Sequence, residues 1–365
     1  MSYDDLKSSG YPLQQIYFYL TEGCNLRCRH CWIAPKYQGI AQVDDALSPA
    51  LFEQIIDEAI PMGLHSVKLT GGEPLLHPDI ERLLDIVRDR NLRLIVETNG
   101  VLCTSNLARA IADCKSAFVS VSLDGIEAET HEWVRGVTGC FQAALTGIRN
   151  LVSEGLTPQI IMSLMRRNKA QMQDMVRLAE TLGAGSVRFN LVQPTERGRK
   201  LHDSGETLSV PEMIELGKWV DTTLSRMTSL KVLYNHPMAF KPMSRMFGED
   251  GNGCETCGIR GIIGVLSDGS YALCGIGTSV PEMIFGRGGI DDLKTVWEDN
   301  TTLNQIRNNL PERLQGICGQ CILKEICMGR CIAQNYYTNH SIWSSFWFCE
   351  EAFSEGLFPA TRLVD

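Results

Sequence analysis

Basic residues are in the minority in this 365-residue chain: 34 Lys and Arg stand against 43 Asp and Glu, a formal net charge of −9. Nonspecific binding to nucleic acid or to an anionic membrane relies on clustered Lys and Arg, so neither partner is expected, although a local basic pocket is compatible with the total. A long apolar run is also missing. No stretch approaches the ~20 residues of a membrane span, and the opening "MSYDDLKSSGYPLQQ" is polar and acidic, without the apolar core of a signal peptide. There is no internal repeat and no low-complexity tract. The chain therefore reads as cytoplasmic, where thiols stay reduced. In that setting fourteen cysteines are better spent on metal than on a disulfide framework.

The length suits two domains at ~150 residues each, and 44% apolar content predicts a sizeable core. Strand-like and helix-like stretches alternate over the first two-thirds. "QIYFYLT" (15–21), "SVKLTGG" (66–72), "LRLIVETNG" (92–100), "AFVSVSLDG" (117–125), "PQIIMSLM" (158–165) and "SVRFNLVQP" (186–194) are the strands. Between them lie helical segments such as 48–63, where Ser48 is placed to cap and Pro49 to occupy the first turn. Six such units predict a parallel α/β sheet with right-handed crossovers, as a partial barrel or an open doubly wound sheet. Polar or glycine-rich residues follow strand after strand, on the rim where barrel-like folds build active sites.

The first of these rims is "TEGCNLRCRHCWIAP" (21–35), with Cys24, Cys28 and Cys31 in one loop. A structural zinc site usually closes with four protein ligands. Three thiolates can instead wrap three corners of an iron–sulfur cube and leave one iron open to an outside ligand. A zinc site with a distant fourth ligand, or a fortuitous cluster, is the competing reading.

"CNLRCRHC" resembles the motif of the radical S-adenosylmethionine (radical SAM) superfamily, in its C-x3-C-x2-C spacing and in the aromatic His30 before the third cysteine. The resemblance implies a partial (β/α)6 barrel over 15–235, after a short 1–14 extension. It implies a [4Fe-4S] cluster on Cys24, Cys28 and Cys31 whose open iron binds S-adenosylmethionine. "GGEP" (71–74) is similar to the family segment that receives the methionine amino group, which assigns Gly71, Gly72 and Glu73 to the cofactor. Asn99 in "ETNG" and Ser122 and Asp124 in "SLDG" fall where the family meets the ribose and sulfonium end. Arg135 resembles an arginine that reaches the methionine carboxylate. The chemistry implied is one-electron cleavage of the sulfonium bond, giving a 5′-deoxyadenosyl radical that abstracts a hydrogen atom, with the electron drawn from an external donor such as ferredoxin or flavodoxin.

Composition changes after a segment placed as a linker at 236–253. Residues 254–350 hold Cys254, Cys257, Cys274, Cys318, Cys321, Cys327, Cys331 and Cys349, and 351–365 form a tail. "IIGVLSDGSYALC" (262–274) predicts a hairpin about Asp268–Gly269. Eight thiolates ligate two four-iron clusters completely; two four-cysteine zinc sites are the physical alternative. The pattern resembles the SPASM auxiliary-cluster domain. That implies one cluster on Cys254, Cys257, Cys274 and Cys331, a second on Cys318, Cys321, Cys327 and Cys349, and three [4Fe-4S] clusters in all. Cys103, Cys114 and Cys140 are read as small packing residues; the alternative is a hydrogen donor, as a peptide epimerase requires.

Enzymes of this type mostly modify peptides, and the first motif is similar to peptide maturases of the SynChlorMet cassette type. The expected reaction is a carbon–carbon or thioether crosslink in a ribosomally made peptide, with an auxiliary cluster accepting an electron. Sulfatase maturases carry an aspartate after the third cysteine of the first auxiliary set, and here Gly275 follows Cys274. About fourteen residues precede the first strand, so peptide recognition is expected to fall to a separate protein or to an exposed sheet edge. The alternatives are an enzyme acting on a tetrapyrrole or haem precursor, and a zinc-binding scaffold without catalysis. His131, His340 and the aromatic run at 343–348 receive no functional role.

Overall fold

A computed structural model describes residues 11–38, 46–248 and 257–364. Its centre is a ten-stranded sheet. In chain order the strands are β1 (Gln15–Tyr19), β2 (Ser66–Thr70), β3 (Arg93–Thr98), β4 (Phe118–Ser122), β5 (Gln159–Leu164), β6 (Ser186–Leu191), β7 (Lys231–Tyr234), β8 (Ile262–Val265), β9 (Ser270–Ala272) and β10 (Ile284–Arg287). Their order across the sheet is β10-β9-β8-β1-β2-β3-β4-β5-β6-β7. The first eight strands in sequence run parallel to one another, β9 pairs antiparallel with β8, and β10 pairs antiparallel with β9.

The six predicted strands are present and sequentially adjacent. Two additions correct the six-unit count. β7, in the "LKVLYN" stretch, extends the parallel row beyond β6, pairing Ser186 with Lys231 through Phe189 with Tyr234. On the other side β8, from the cysteine-rich region, pairs in parallel with β1, Gln15 opposite Ile262. The change in composition is therefore crossed by a continuous sheet. The segment placed as a linker carries two short helices, Met238–Phe240 and Met243–Phe247, and residues 249–253 lie outside the described residues. Asp268–Gly269 does form the hairpin turn, its reversal allowed by Gly269 at φ +86°.

Helices α1 (Pro49–Ala59), α2 (Ile80–Asp89), α3 (Ser105–Ala112), α4 (Ala128–Arg135), α5 (Cys140–Ser153), α6 (Met172–Leu182), α7 (Glu196–Asp203) and α8 (Val210–Thr222) make most of the connections. Ser48 caps α1 by accepting from the Leu51 N–H, with Pro49 in the first turn. One face of the strands is apolar. Ile16, Phe18, Val67, Leu69, Leu94, Val96, Val121, Ile160, Val187 and Phe189 are all fully buried in one core with the helices. At ~1.5–3 kcal/mol for each large aliphatic or aromatic side chain buried, this layer is the main stabilising contribution.

The other face is unlike an ordinary buried parallel sheet, whose strands are apolar on both sides. Side chains alternate along a strand, and the alternate positions carry Tyr17, Lys68, Glu97, Ser120, Arg188 and Asn190. Hydrogen bonds tie this polar layer together, with Gln15 Nε2 donating to Ser66 Oγ (2.8 Å) and Arg188 Nε to Gln159 Oε1 (3.1 Å). A polar lumen is a place for a ligand, and the cysteine loop lies at one end of it.

Candidate active site

The cysteine loop is held on several sides. Its backbone pairs with the end of α4, where Arg27 N–H donates to Arg135 O and Arg29 N–H to Val134 O, each at 2.9 Å. A short ribbon, Gly23–Cys24 with Lys36–Tyr37, closes its base. From α7, Arg197 donates to the Pro35 carbonyl (2.7 Å) and the Cys28 carbonyl (3.4 Å). Behind it Cys24, Leu26 and Cys28 pack on Cys140, so that third leftover cysteine serves the loop as a packing residue. Cys103 and Cys114 are also buried; Cys114 Sγ donates to the carbonyls of Ala110 and Leu84.

Gly71 and Gly72 meet this loop backbone to backbone. Gly72 N–H donates to Thr21 O (3.1 Å), Glu73 N–H donates to Gly23 O (3.0 Å), and Gly71 sits at φ +123°. A Cβ on Gly72 would collide with the Gly23 carbonyl. The side chain of Glu73 is committed within the protein. It is 1% exposed and accepts from Thr98 Oγ1 (2.6 Å), the Asn99 N–H (2.8 Å) and the Leu75 N–H (3.1 Å). Burial pushes its pKa up to about 7 despite those hydrogen bonds, which favour the charged form. Asn99 Nδ2 in turn donates to Asn25 Oδ1 of the cysteine loop (2.7 Å). Glu73 and Asn99 thus brace three rim loops against one another.

These residues line one cavity of about 510 Å³, shared by Cys24, Cys28, Cys31, Gly71, Gly72, Glu73, Asn99, Ser122 and Arg135. His30 lines it too, kept neutral by burial, which lowers its pKa to about 4. Asp124 does not line it. The carboxylate is fully buried, and one oxygen pairs with Arg135 NH2 at 2.7 Å. The expected contact of Asp124 with a cofactor gives way to this ion pair, because the last turn of α4 places Arg135 over it. Arg135 is no surface residue: it is 6% exposed, and its other terminal nitrogen donates to Cys28 Sγ at 3.4 Å.

The cavity reaches the cysteine-rich region, since Cys274 and Cys331 stand on its wall. Cys257 and Cys274 both feel the charge of Cys331, so these three are neighbours, while Cys254 lies outside the described residues. Cys318, Cys321, Cys327 and Cys349 line a second, small cavity together. Cys274 and Cys331 thus share one cavity and Cys318, Cys321, Cys327 and Cys349 another, although among the described residues no group of three or more Cys, His, Asp or Glu stands as a ready single-metal site. Their surroundings fit cluster ligands. Backbone N–H groups donate to sulfur at Leu26 to Cys24, Leu323 to Cys321 and Phe346 to Cys318, each at 3.4 Å. Burial pushes the Cys31 thiol up to about 11 and Cys318 up to about 12, so a bound cluster, not solvent, is what would hold them as thiolates.

Several lining residues escaped the sequence reading. Lys68 Nζ pairs with Glu97 Oε1 at 2.6 Å and lies over the Tyr17 ring, 4.5 Å from its centroid. Asn190, Gln193, Asn235 and Gln334 add an amide-rich wall, and Gln334 Oε1 is buried without a hydrogen-bond partner. A further cavity of about 320 Å³ shares Pro35, Gly71 and Gly72 with the lumen, extending it past the cysteine loop. Where sulfatase maturases carry an aspartate, a side chain on Gly275 would strike the Tyr19 ring. The aromatic run packs, as with Trp347 against Phe348 (5.7 Å between centroids) and Phe348 against Phe240 (5.1 Å). His131 is buried and accepts from the Asp124 N–H at 3.1 Å.

A mostly parallel α/β sheet thus carries three thiols on a rim loop above a polar lumen, the arrangement of a site that could bind a cofactor. Residues 18–179 match the model of the Radical SAM superfamily. The AdoMet-dependent heme synthase of Methanosarcina barkeri is 30% identical over 333 residues, covering 87% of this chain and 90% of the relative. The mycofactocin maturase MftC of Mycobacterium tuberculosis is 27% identical over 329 residues, 87% of this chain and 78% of that one. Crystal structures of Streptococcus suis SuiB match the fold. The form bound to S-adenosylmethionine has a TM-score of 0.72 at 19% identity, over 95% of this chain and 80% of that chain. The form bound to precursor peptide SuiA has a TM-score of 0.71 at 18% identity, over 95% and 78%. The chain belongs to the radical SAM superfamily. Among the described residues, no helix is long and apolar enough to cross a membrane.

Proposed function

We propose that this enzyme is a peptide maturase that installs a crosslink in a ribosomally made peptide. In this reading Cys24, Cys28 and Cys31 hold a [4Fe-4S] cluster above a partial barrel, and residues 254–350 form a SPASM-type domain for two auxiliary clusters. When bound, the first cluster and S-adenosylmethionine supply a 5′-deoxyadenosyl radical that removes a hydrogen atom from the substrate. Gly71 and Gly72 offer backbone to the cofactor at close range, Ser122 faces its ribose end, and Glu73 and Asn99 keep the loops in register. The single observation that carries the proposal is that the three-thiol loop and the first auxiliary pair, Cys274 and Cys331, face the same cavity. Substrate held there touches both.

The walls favour a peptide. Gln334 Oε1 is left to accept from a peptide N–H, while Gln193 and the Asn190–Asn235 pair are partly bonded within the wall, and the adjoining 320 Å³ cavity gives a chain room to run past the cysteine loop. A second reading, a haem or tetrapyrrole precursor as substrate, is favoured by the 30% identity to the heme synthase. The carboxylates of such a precursor need free cations. Lys68 is paired with Glu97, Arg135 with Asp124, and Arg197 is spent on two carbonyls.

Forming the new bond leaves one proton and one electron to be removed, and Glu97, on the lumen wall beside Lys68, would take the proton. An auxiliary cluster on the cysteines at the far wall would accept the electron, and an external carrier such as ferredoxin or flavodoxin would supply the one that starts each turnover. Recognition of the rest of the peptide falls to a separate protein or to the free edge of β10. Anaerobic reconstitution with iron, sulfide, dithionite and S-adenosylmethionine tests the enzyme class. Release of 5′-deoxyadenosine, abolished in Cys28→Ala, is expected; zinc without acid-labile sulfide would contradict it.

A further inference from the structure

We propose that the buried Asp124–Arg135 pair sets the reduction potential of the cluster on Cys24, Cys28 and Cys31, acting through the sulfur of Cys28. The inference rests on the proposed cluster at the cysteine loop and is independent of what the substrate is. Arg135 is committed on two sides, to Asp124 Oδ2 at 2.7 Å and to Cys28 Sγ at 3.4 Å. Neither residue has room to turn. Asp124 accepts the Ser163 N–H at its other oxygen (2.7 Å), its own N–H is taken by His131, and Asn168 Nδ2 holds its carbonyl (2.9 Å). Arg135 closes α4, and the following Gly136 sits at φ +72°, where a Cβ would strike the Arg27 carbonyl. The guanidinium is therefore clamped between a carboxylate and a ligand sulfur inside the protein.

The consequence is electrostatic. Hydrogen bonds to ligand sulfur and the net charge nearby are among the levers that set an iron–sulfur potential. Both charges are buried, Asp124 fully and Arg135 nearly so, and are therefore less screened than at the surface. A cation donating to Cys28 Sγ stabilises the reduced, more negative cluster and eases its reduction. Asp124 opposes part of that effect while fixing the donor's position. The pair is thus a dipole with its positive end on the cluster, and its two ends act with opposite sign. Arg135 and Asp124 are positioning residues in this account, and a role for Arg135 only in holding the methionine carboxylate makes a different prediction.

The test is an EPR-monitored redox titration of reconstituted full-length protein, following the cluster signal that S-adenosylmethionine perturbs. Titration is done without S-adenosylmethionine, and its affinity is measured separately. Arg135→Gln is expected to make the potential more negative. Asp124→Asn, which keeps the size and a hydrogen-bonding oxygen, is expected to make it less negative, and Arg135→Lys to fall between wild type and Arg135→Gln. Shifts of opposite sign for the two ends establish the pair as the tuning element. Unchanged potentials with weakened cofactor binding overturn it in favour of the carboxylate contact. Same-sign shifts, or loss of this cluster from all three variants, overturn it too, since the pair would then only hold the fold.

Discussion

Glu73 shows how a family expectation and a local structure divide a residue's work. The motif assigns it to the cofactor, but its oxygens are occupied by Thr98, Asn99 and Leu75. Its pKa is raised from 4.5 to about 7, chiefly by burial, so between those values the native chain holds a proton that the unfolded chain has released. This contribution to stability is fully present below 4.5 and is lost as pH rises through about 7. Glu73→Gln should lack that dependence. It should also lose about 1–3 kcal/mol, because its amide nitrogen faces groups that donate. Thermal unfolding of the apoprotein at about pH 5 and about pH 8 compares the two slopes; parallel slopes would show that Glu73 does not titrate as described. Glu97 belongs to the same scale. Glu97→Gln is expected to lower modified peptide formed per 5′-deoxyadenosine by about 100-fold, the usual worth of a placed general base. An unchanged ratio in the coupled assay removes it from the proton-transfer step.

Among the elements, the loops after β1 and β2 form one unit through backbone contact, and the loop after β3 joins them through the Glu73 and Asn99 side chains. Gly72→Ala drives a methyl group into the Gly23 carbonyl, which cannot yield without moving Cys24. The variant should lose most of the cluster at the cysteine loop, read as iron and sulfide content, while keeping the far-ultraviolet CD of the sheet. The six strands and the capped helix α1 were legible because periodicity, glycine and proline are local signals. β7 and the docking of β8 beside β1 were not, since a four-residue strand joins a sheet on the strength of partners far away in sequence. The lumen was half-written. Lys68, Glu97, Ser120, Arg188 and Asn190 recur at every second position of strands expected to be apolar on both faces. That alternation was the available signal for the inner wall. Nothing in the motif spacing distinguishes Asp124 behind the wall from Ser122 on it, because that depends on how α4 lays Arg135 across the strand end.

For the whole molecule, the arrangement sets the cysteine loop and the pair Cys274 and Cys331 around one lumen, with Cys318, Cys321, Cys327 and Cys349 gathered at a separate cavity. Full reconstitution should give about twelve irons per chain, and Cys318→Ala/Cys349→Ala about eight. A fall of that size with 5′-deoxyadenosine still released would place the lost cluster outside the radical-forming step. The resemblance to both a heme synthase and a peptide maturase shows why fold alone leaves the substrate open. What separates them is how the lumen's polar groups are committed: Lys68 and Arg135 are held by carboxylates, while Gln334 Oε1 is left to accept. The most direct test is anaerobic co-expression with short peptides encoded beside this gene, followed by high-resolution mass spectrometry. A loss of two hydrogens from one peptide, absent with Cys28→Ala, is the predicted result. Unmodified peptides, together with turnover of an added iron tetrapyrrole, would contradict the account.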